Sequence, residues 1–188
     1  MVERPVSNFE RFALHVEEIL MTRLVPKDHP GPVFKWLFKM PVVFYKLGLP
    51  LFGSFILLLT TTGCKSGKLR YTPLEYRREE QTGHMIITAG WGGNTDWRRN
   101  IQADPHVRVQ AGWHKFAALA EPLTDAEVAA FMIKAMHINP ISTKTWSRWA
   151  GEPITVDNPD RVLKAARYFP SFRLKLLKEL QKTKQSME

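Results

Sequence analysis

A turn rich in cations and flanked by glycine is the part of this chain whose residue types and spacing first suggest chemistry. Within six positions it carries three cations and a serine, namely Lys65, Ser66, Lys68 and Arg70. Gly63 and Gly67 permit the positive φ angles of a tight turn and let backbone N–H groups approach a ligand closely. Lysine and arginine add charge-assisted hydrogen bonds that suit phosphate. The turn therefore predicts an anion site, and the alternative is an ordinary solvated turn.

A second glycine-rich segment follows the third predicted strand. It consists of a tryptophan among small residues: Ala89, Gly90, Trp91, Gly92 and Gly93. Glycines at the end of a strand let the chain approach a flat ligand closely. Trp91 would then cover one face of a ring, or else pack within the loop. Trp97 and Asn100 come next, on a short helix predicted over 95–103, and they would close the same side of the site.

The two segments resemble those of a known family. In this chain they read TTTGCKSGKLRYTPLEY and AGWGGNTDWRRNIQADPHVRV. They match, in the same order, two signatures of the deazaflavin-dependent nitroreductase family, and the resemblance extends over about 55–123. It implies a split β-barrel that uses coenzyme F-420 (8-hydroxy-5-deazaflavin) for hydride transfer. Cys64 and Arg98 depart from the family pattern, which usually has arginine and tyrosine at these two positions.

The resemblance also implies roles for individual residues. Lys65, Ser66 and Arg70 match positions that hold the phosphate and acidic tail of the coenzyme, and the backbone around Pro73 would line the deazaflavin ring. Because Pro73 has no N–H to donate to a strand ladder, we expect it at a sheet edge or a bulge. The full set expected to bind the cofactor is Lys65, Ser66, Arg70, Thr72, Pro73, Leu74, Ala89, Gly90, Trp91, Gly92, Gly93, Trp97 and Asn100.

The same resemblance implies an oxidoreductase of the nitroreductase or quinone reductase type. Hydride would pass from the reduced deazaflavin to an apolar, electrophilic substrate such as a quinone or a nitro compound. No catalytic side chain follows from the residues, and Tyr168, Trp146 and Trp149 are candidates near the substrate. Two alternatives stay open at this point. One is a flavin mononucleotide-binding oxidoreductase on the same barrel, and the other is a non-catalytic, membrane-associated lipid-binding barrel.

Other catalytic classes have no signature in the sequence. It contains no GxSxG elbow, no Walker loop, no HExxH and no GxGxxG after a strand. The six histidines show no metal-ligand spacing, so we expect no metal site. A single cysteine cannot form an internal disulfide, which favours a reducing compartment. The first residues carry charges and no apolar signal core, and a cytoplasmic location is therefore expected.

The chain is basic, with a formal net charge of +9 at pH 7, and residues 160–188 contain eight basic and three acidic side chains. Such a segment would suit an anionic membrane surface or nucleic acid. However, no aromatic residues alternate with the basic ones as a platform for stacked bases requires. We therefore expect no specific nucleic acid. The expected partners are a quinone-like small molecule, a peripheral contact with the inner face of the membrane through basic amphipathic helices, and, as an open alternative, a second copy in a homodimer.

The elements that must position these residues form an α+β fold with a mainly β core. At 188 residues we expect one domain. N-terminal helices are predicted over 1–54, a split antiparallel β-barrel that binds the cofactor over 55–123, and a helical region over 124–188. Short β-rich runs separated by hairpin-length links predict five strands, at 55–61, 69–77, 84–89, 106–111 and 113–121.

Helical patterns are predicted on both sides of the barrel. Apolar spacing indicates an amphipathic helix over 8–24 and another over 33–47, which Pro41 should kink or split. Asn158 followed by Pro159 is typical of a helix start. Pro170 should interrupt that helix, and the leucines and lysines over 172–182 are expected to continue it.

Overall fold

The computed structural model describes residues 39–49, 53–138 and 140–180 of the chain. The helix expected over 8–24, and the first part of the pattern over 33–47, lie outside these residues. The described residues belong to two compact units. The barrel unit contains the residues up to Thr124 and those from Phe169 onward, and the helical unit covers 125–168. That the whole chain is one domain stays a prediction.

The barrel unit is a closed, antiparallel, six-stranded barrel. Its strands are β1 Ile56–Thr62, β2 Leu69–Arg78, β3 Met85–Thr88, β4 His106–Ala111, β5 His114–Pro122 and β6 Ser171–Glu179. Around the barrel they follow the order β1-β2-β3-β6-β5-β4. The predicted fold class, a mainly β barrel with flanking helices, is confirmed. Five strands lie within two residues of their predicted bounds at each end.

The sixth strand corrects the sequence prediction, which extended a helix over 172–182 and confined the barrel to 55–123. β6 closes the barrel because it pairs with β3 on one side and with β5 on the other. Phe172 and Leu174 are buried in the core, with 4% and 0% of their surface exposed. Arg173 and Lys175 alternate with them, as the period of a strand requires.

Two of the cations of β6, Arg173 and Lys175, are paired within the barrel unit. Arg173 forms an ion pair with Glu79 at 2.9 Å, and Lys175 forms one with Glu121 at 2.7 Å. The basic C-terminal segment therefore contributes less free positive charge than its sequence suggests.

The barrel core is built from the inward-facing residues of the strands. On β1, Leu57 and Leu59 are fully buried, and Thr61 is 1% exposed. Alternate residues of a strand point to the same face, so these three side chains share the inner face of β1. Trp97 joins this core and contacts Phe172 edge to face, with 5.7 Å between ring centroids. The core thus ties the helix that carries Trp97 to the last strand.

Two helices belong to the barrel unit: α1 Met40–Lys46 and α2 Asp96–Ala103. Pro41 stands in the first turn of α1, where a missing N–H leaves no intrahelical bond unmade. Tyr45 anchors α1, since its hydroxyl donates to the Ile56 carbonyl at 2.6 Å. Burial raises the pKa of Tyr45, against the opposing effect of a backbone hydrogen bond, so this hydroxyl stays protonated at neutral pH.

The helical unit consists of α3 Asp125–Ile138, α4 Pro140–Ala150 and α5 Pro159–Ala166. Asn158 caps α5 as predicted, because its side-chain oxygen accepts a hydrogen bond from the Arg161 N–H at 3.1 Å. Trp146, Trp149 and Tyr168 all lie in this unit, and their assignment to the substrate stays a prediction. Among the described helices, none has the length and apolar character needed to cross a membrane.

Candidate functional site

The anion turn, defined here as residues 63–70, links β1 to β2. The Gly63 N–H donates to the Lys68 carbonyl at 2.9 Å, and the Gly67 N–H donates to the Gly63 carbonyl at 2.8 Å. Gly67 has a φ of +64°, a conformation that favours glycine. Gly63 is required for a different reason: an added Cβ would lie 2.9 Å from Ser66 Oγ and 3.1 Å from the Lys68 carbonyl oxygen. Backbone hydrogen bonds and glycine therefore fix the shape of the turn.

The cations of the anion turn are exposed to solvent. Within the described part of the chain, no carboxylate forms an ion pair with Lys65, Lys68 or Arg70. Arg70 makes one long contact, from Nη2 to Ser66 Oγ at 3.4 Å. No carboxylate among the described residues thus neutralises the positive charge of the turn, and its role as an anion site stays a prediction.

Asn100 holds the anion turn against α2. Its Oδ1 accepts a hydrogen bond from the Cys64 N–H at 3.0 Å, and its Nδ2 donates to Thr61 Oγ1 at 3.0 Å. The Asn100 side chain is buried, with 5% of the residue exposed. Its place in the site is therefore to position the start of the anion turn rather than to present an exposed polar group.

On β2, the backbone groups alternate between facing β1 and facing away from it. The Tyr76 N–H donates to the Phe55 carbonyl at 3.0 Å, and at the other end Lys68 accepts from Gly63. Since alternate residues of an antiparallel strand face the same neighbour, Thr72 and Leu74 also direct their backbone groups toward β1. The groups that face the opposite way belong to Leu69, Tyr71, Pro73 and Glu75.

That opposite side of β2 forms an open edge over residues 69–75. β3 pairs with β2 only from Tyr76 to Arg78, and in the described residues no strand pairs with the stretch before Tyr76 on this side. Pro73 thus lies at a sheet edge, as predicted, where its missing N–H leaves no ladder bond unmade. Of the three residues Thr72, Pro73 and Leu74, it is Pro73 whose carbonyl faces away from β1, and the ring-lining role of all three stays a prediction.

The glycine-rich segment follows β3, beyond the last residue at which β3 pairs with β2. β2 and β3 pair at Tyr76 and Ile87, and the chain then leaves β2 and enters a short 3-10 turn at Trp91–Gly93. Ala89 is fully buried, and its N–H donates to the Pro170 carbonyl at 2.9 Å. The two segments singled out in the sequence therefore flank the point where β2 and β3 separate.

Within that segment the glycines differ in environment. Gly90 is half-buried and Gly92 is exposed with a φ of +62°, whereas the side chain of Trp91 lies outside what the structure describes. Gly93 is buried, with a φ of +77°, and an added Cβ would lie 2.8 Å from Pro170 Cγ. Close packing against Pro170 explains Gly93, and sequence reasoning did not identify Pro170 as part of the site.

The predicted cofactor residues fall into two groups. Lys65, Ser66 and Arg70 present exposed polar side chains on one turn, and the edge residue Pro73 is half-buried beside it on the same strand. Ala89, Trp97 and Asn100 are buried and support the site from the core. Among the described residues, no group of three histidine, cysteine or carboxylate side chains could hold a metal ion.

The arrangement fits an elongated ligand with an anionic end and a flat ring. Cations that have no ion-pair partner in the described ranges, and a turn too tight for a Cβ at Gly63, suit the anionic end. Outward-facing backbone groups at the open edge can hydrogen-bond the polar rim of a ring. Coenzyme F-420 has both parts.

Comparison with known proteins agrees with these features. Residues 39–159 match the model of the family described as F420H(2)-dependent quinone reductase. F420H(2)-dependent quinone reductases from two strains of Mycobacterium tuberculosis, H37Rv and CDC 1551, are each 36% identical over 70 residues, which cover 36% of this chain and 46% of each relative. The match to this chain thus spans less than half the length of those relatives.

Solved structures are also similar to this chain. One titled as an F420-H2 dependent reductase is 27% identical, with a TM-score of 0.40, and the match covers 64% of this chain and 93% of that one. Another, titled as a domain-swapped dimer, is 24% identical, with a TM-score of 0.48, and the match covers 77% of this chain and all of that one.

Proposed function

Because this chain belongs to the F420H(2)-dependent quinone reductase family, we propose that it binds coenzyme F-420 and reduces a quinone by hydride transfer. The observation that carries the proposal is the anion turn. Its three cations have no carboxylate partner among the described residues, and the buried Asn100 holds the backbone at Cys64 in place. A turn of fixed shape that gathers positive charge suits an external anion.

The anion turn would hold the acidic part of the coenzyme. Lys65 and Arg70 supply charge-assisted hydrogen bonds, and the Ser66 hydroxyl supplies another polar contact. Lys68 adds positive charge to the same turn. Because these side chains are exposed, their attraction for an anion is screened by salt.

The open edge of β2 would orient the ring. The Pro73 carbonyl and the backbone groups of Tyr71 and Glu75 lie along this edge, and the glycine-rich segment follows the end of the pairing between β2 and β3. When bound, the reduced coenzyme supplies a hydride, and a quinone that accepts this hydride and one proton becomes the quinol. The protein supplies placement, electrostatics and exclusion of water. No protein nucleophile is required for this reaction.

We also propose a cytoplasmic protein that contacts the inner face of the membrane, where an apolar quinone would reside. Support comes from α1 and the residue that follows it, since Met40, Val43 and Leu47 are 36%, 49% and 67% exposed. Their spacing places them on one helix face, beside Lys39 and Lys46. Cosedimentation with anionic vesicles tests this contact: we expect Val43→Ser with Leu47→Ser to weaken it, whereas equal cosedimentation of parent and variant would remove the support.

The enzymatic proposal is tested by anaerobic turnover. The parent protein is mixed with reduced coenzyme F-420 and menadione, and reoxidation of the coenzyme is followed by absorbance. Reduced flavin mononucleotide replaces the coenzyme in a parallel reaction. We expect turnover with the deazaflavin and little with the flavin, because the turn carries enough cations for the longer acidic tail. Turnover with flavin alone would assign the alternative cofactor, and turnover with neither would contradict the proposal.

A further inference from the structure

Arg98, in the first turn of α2, has a buried hydrogen-bond donor without a partner. Its Nε is shielded from solvent, and no residue in the described part of the chain accepts a hydrogen bond from it. Nη1 makes a long contact of 3.3 Å with the Gly93 carbonyl. A buried donor of a charged group that stays unpaired is costly, so it calls for an explanation.

The adjacent arginine provides a contrast. Arg99 is exposed, and both of its terminal nitrogens are used locally. Nη1 donates to Asn94 Oδ1 at 3.0 Å, and Nη2 pairs with the Asp96 carboxylate. Two neighbouring residues of the same type thus differ: the terminal nitrogens of Arg99 are paired with Asp96 and Asn94, whereas the buried Nε of Arg98 has no partner among the described residues.

The guanidinium of Arg98 lies against the glycine-rich segment. A Cβ added at Gly93 would lie 3.1 Å from Arg98 Nη1, so the absence of a side chain at Gly93 makes room for it. One turn earlier, the Thr95 hydroxyl is also buried without a partner and makes no helix-capping bond. Two buried polar atoms without a partner among the described residues therefore lie at the N-terminal end of α2, directly after the glycine-rich segment.

We propose that Arg98 is a ligand-binding residue of this site, whose Nε–H donates to a carbonyl or anionic oxygen on a planar ring beside Gly93. This inference rests on the proposed function, in which both the deazaflavin ring and a quinone carry such oxygens. The planar, always charged guanidinium suits an acceptor on the rim of a ring. A ligand oxygen that accepts this hydrogen bond relieves the free-energy penalty of the unpaired Arg98 donor. That relief contributes to the binding free energy of the ligand.

The test compares Arg98→Gln and Arg98→Lys with the matched control Arg99→Gln. Dissociation constants for coenzyme F-420 and for menadione are measured separately by fluorescence titration, and thermal unfolding is recorded without ligand. We expect both Arg98 variants to weaken the binding of one ring ligand by about tenfold to a hundredfold. We expect the ligand-free variants to unfold at or above the temperature of the parent, because an unsatisfied buried donor is relieved. Arg99→Gln should leave both affinities unchanged.

The titrations and the unfolding temperatures together show which ligand, if either, accepts the hydrogen bond from Arg98. Weaker binding of coenzyme assigns the acceptor to the coenzyme, and weaker binding of menadione alone assigns it to the substrate. Unchanged affinity for both ligands would overturn the inference, as would a ligand-free Arg98→Gln protein that unfolds well below Arg99→Gln, since Arg98 would then be structural. A parent that binds menadione in an Arg98-dependent manner, but not the coenzyme, would overturn the proposed function and leave this inference standing.

Discussion

Asn100 accepts a hydrogen bond from the backbone N–H of Cys64 at 3.0 Å, and this bond joins α2 to the anion turn. The same side chain donates to the buried hydroxyl of Thr61 on β1. One amide thus satisfies two groups on either side of Gly63, where the strand ends and the turn begins. The shape of the cationic turn therefore depends on a residue that is itself removed from solvent.

Replacing Asn100 with alanine should destabilise the fold and weaken the site together. The Cys64 N–H and the Thr61 hydroxyl would lose their partner, and leaving the buried Thr61 hydroxyl unsatisfied costs about 1–3 kcal/mol. Urea denaturation should show a loss of that order or more, and coenzyme affinity should fall. Gln102→Ala, at an exposed position of the same helix, is the control. An Asn100→Ala protein as stable as this control would contradict the assigned role.

Gly93 should tolerate alanine less well than Gly67. Both have positive φ, so both substitutions carry the backbone penalty of about 1–2 kcal/mol. At Gly93 the new methyl group would also meet Pro170 Cγ at 2.8 Å, whereas at Gly67 nothing lies within 4 Å. We expect Gly93→Ala to lower the free energy of unfolding by about 1–3 kcal/mol more than Gly67→Ala does. Equal losses would show that the packing against Pro170 is not as tight as the structure indicates.

The pairing of Glu79 with Arg173 predicts a specific loss of stability in acid. Burial alone would raise the pKa of Glu79, but hydrogen bonds from Thr82 and Arg173 outweigh it and hold the pKa below its usual value of 4.5. A carboxyl group with a lower pKa in the folded state stabilises the fold above its unfolded pKa. This stabilisation is lost as the pH falls through the folded pKa.

Urea unfolding over a pH series tests the pairing. Between neutral pH and about pH 3, the parent should lose more stability than Glu79→Gln, which has no carboxyl group to protonate. Glu75→Gln, at an exposed position of β2, should follow the parent. Parallel curves for the parent and Glu79→Gln would show that the ion pair with Arg173 does not contribute.

Short β-rich runs and the turn residues between them allowed five of the six barrel strands to be predicted from the sequence. The sixth strand, β6, was missed because its composition favours a helix. Leucines and lysines have high helix propensity, and they followed a helix interrupted by Pro170, so a helical continuation over 172–182 was inferred. The strict alternation of Phe172, Arg173, Leu174 and Lys175 was the competing signal for a strand. Pairing with β3 and β5, both distant in sequence, decides between them, and a single sequence does not contain those contacts.

The site was predictable in its residue types but not in its internal contacts. The cations of the anion turn and the edge position of Pro73 follow from side-chain chemistry and from the missing N–H of proline. The role of Asn100 as a bridge to Cys64 depends on how α2 packs against β1, which spacing does not reveal. The different environments of Arg98 and Arg99 are likewise invisible in the sequence, because adjacent helix positions differ by 100° in direction, a rotation set by 3.6 residues per turn.

The most direct test of the proposed cofactor is a fluorescence titration of coenzyme F-420 into three proteins at low and high salt. These are the parent, the Lys65→Ala and Arg70→Ala double variant, and Lys115→Ala, which removes an exposed cation from β5. We expect the parent and Lys115→Ala to bind alike, the double variant to bind at least about tenfold more weakly, and salt to weaken binding by the parent. Equal affinity in all three proteins, or no binding by the parent, would contradict the assignment of the anion turn to the coenzyme.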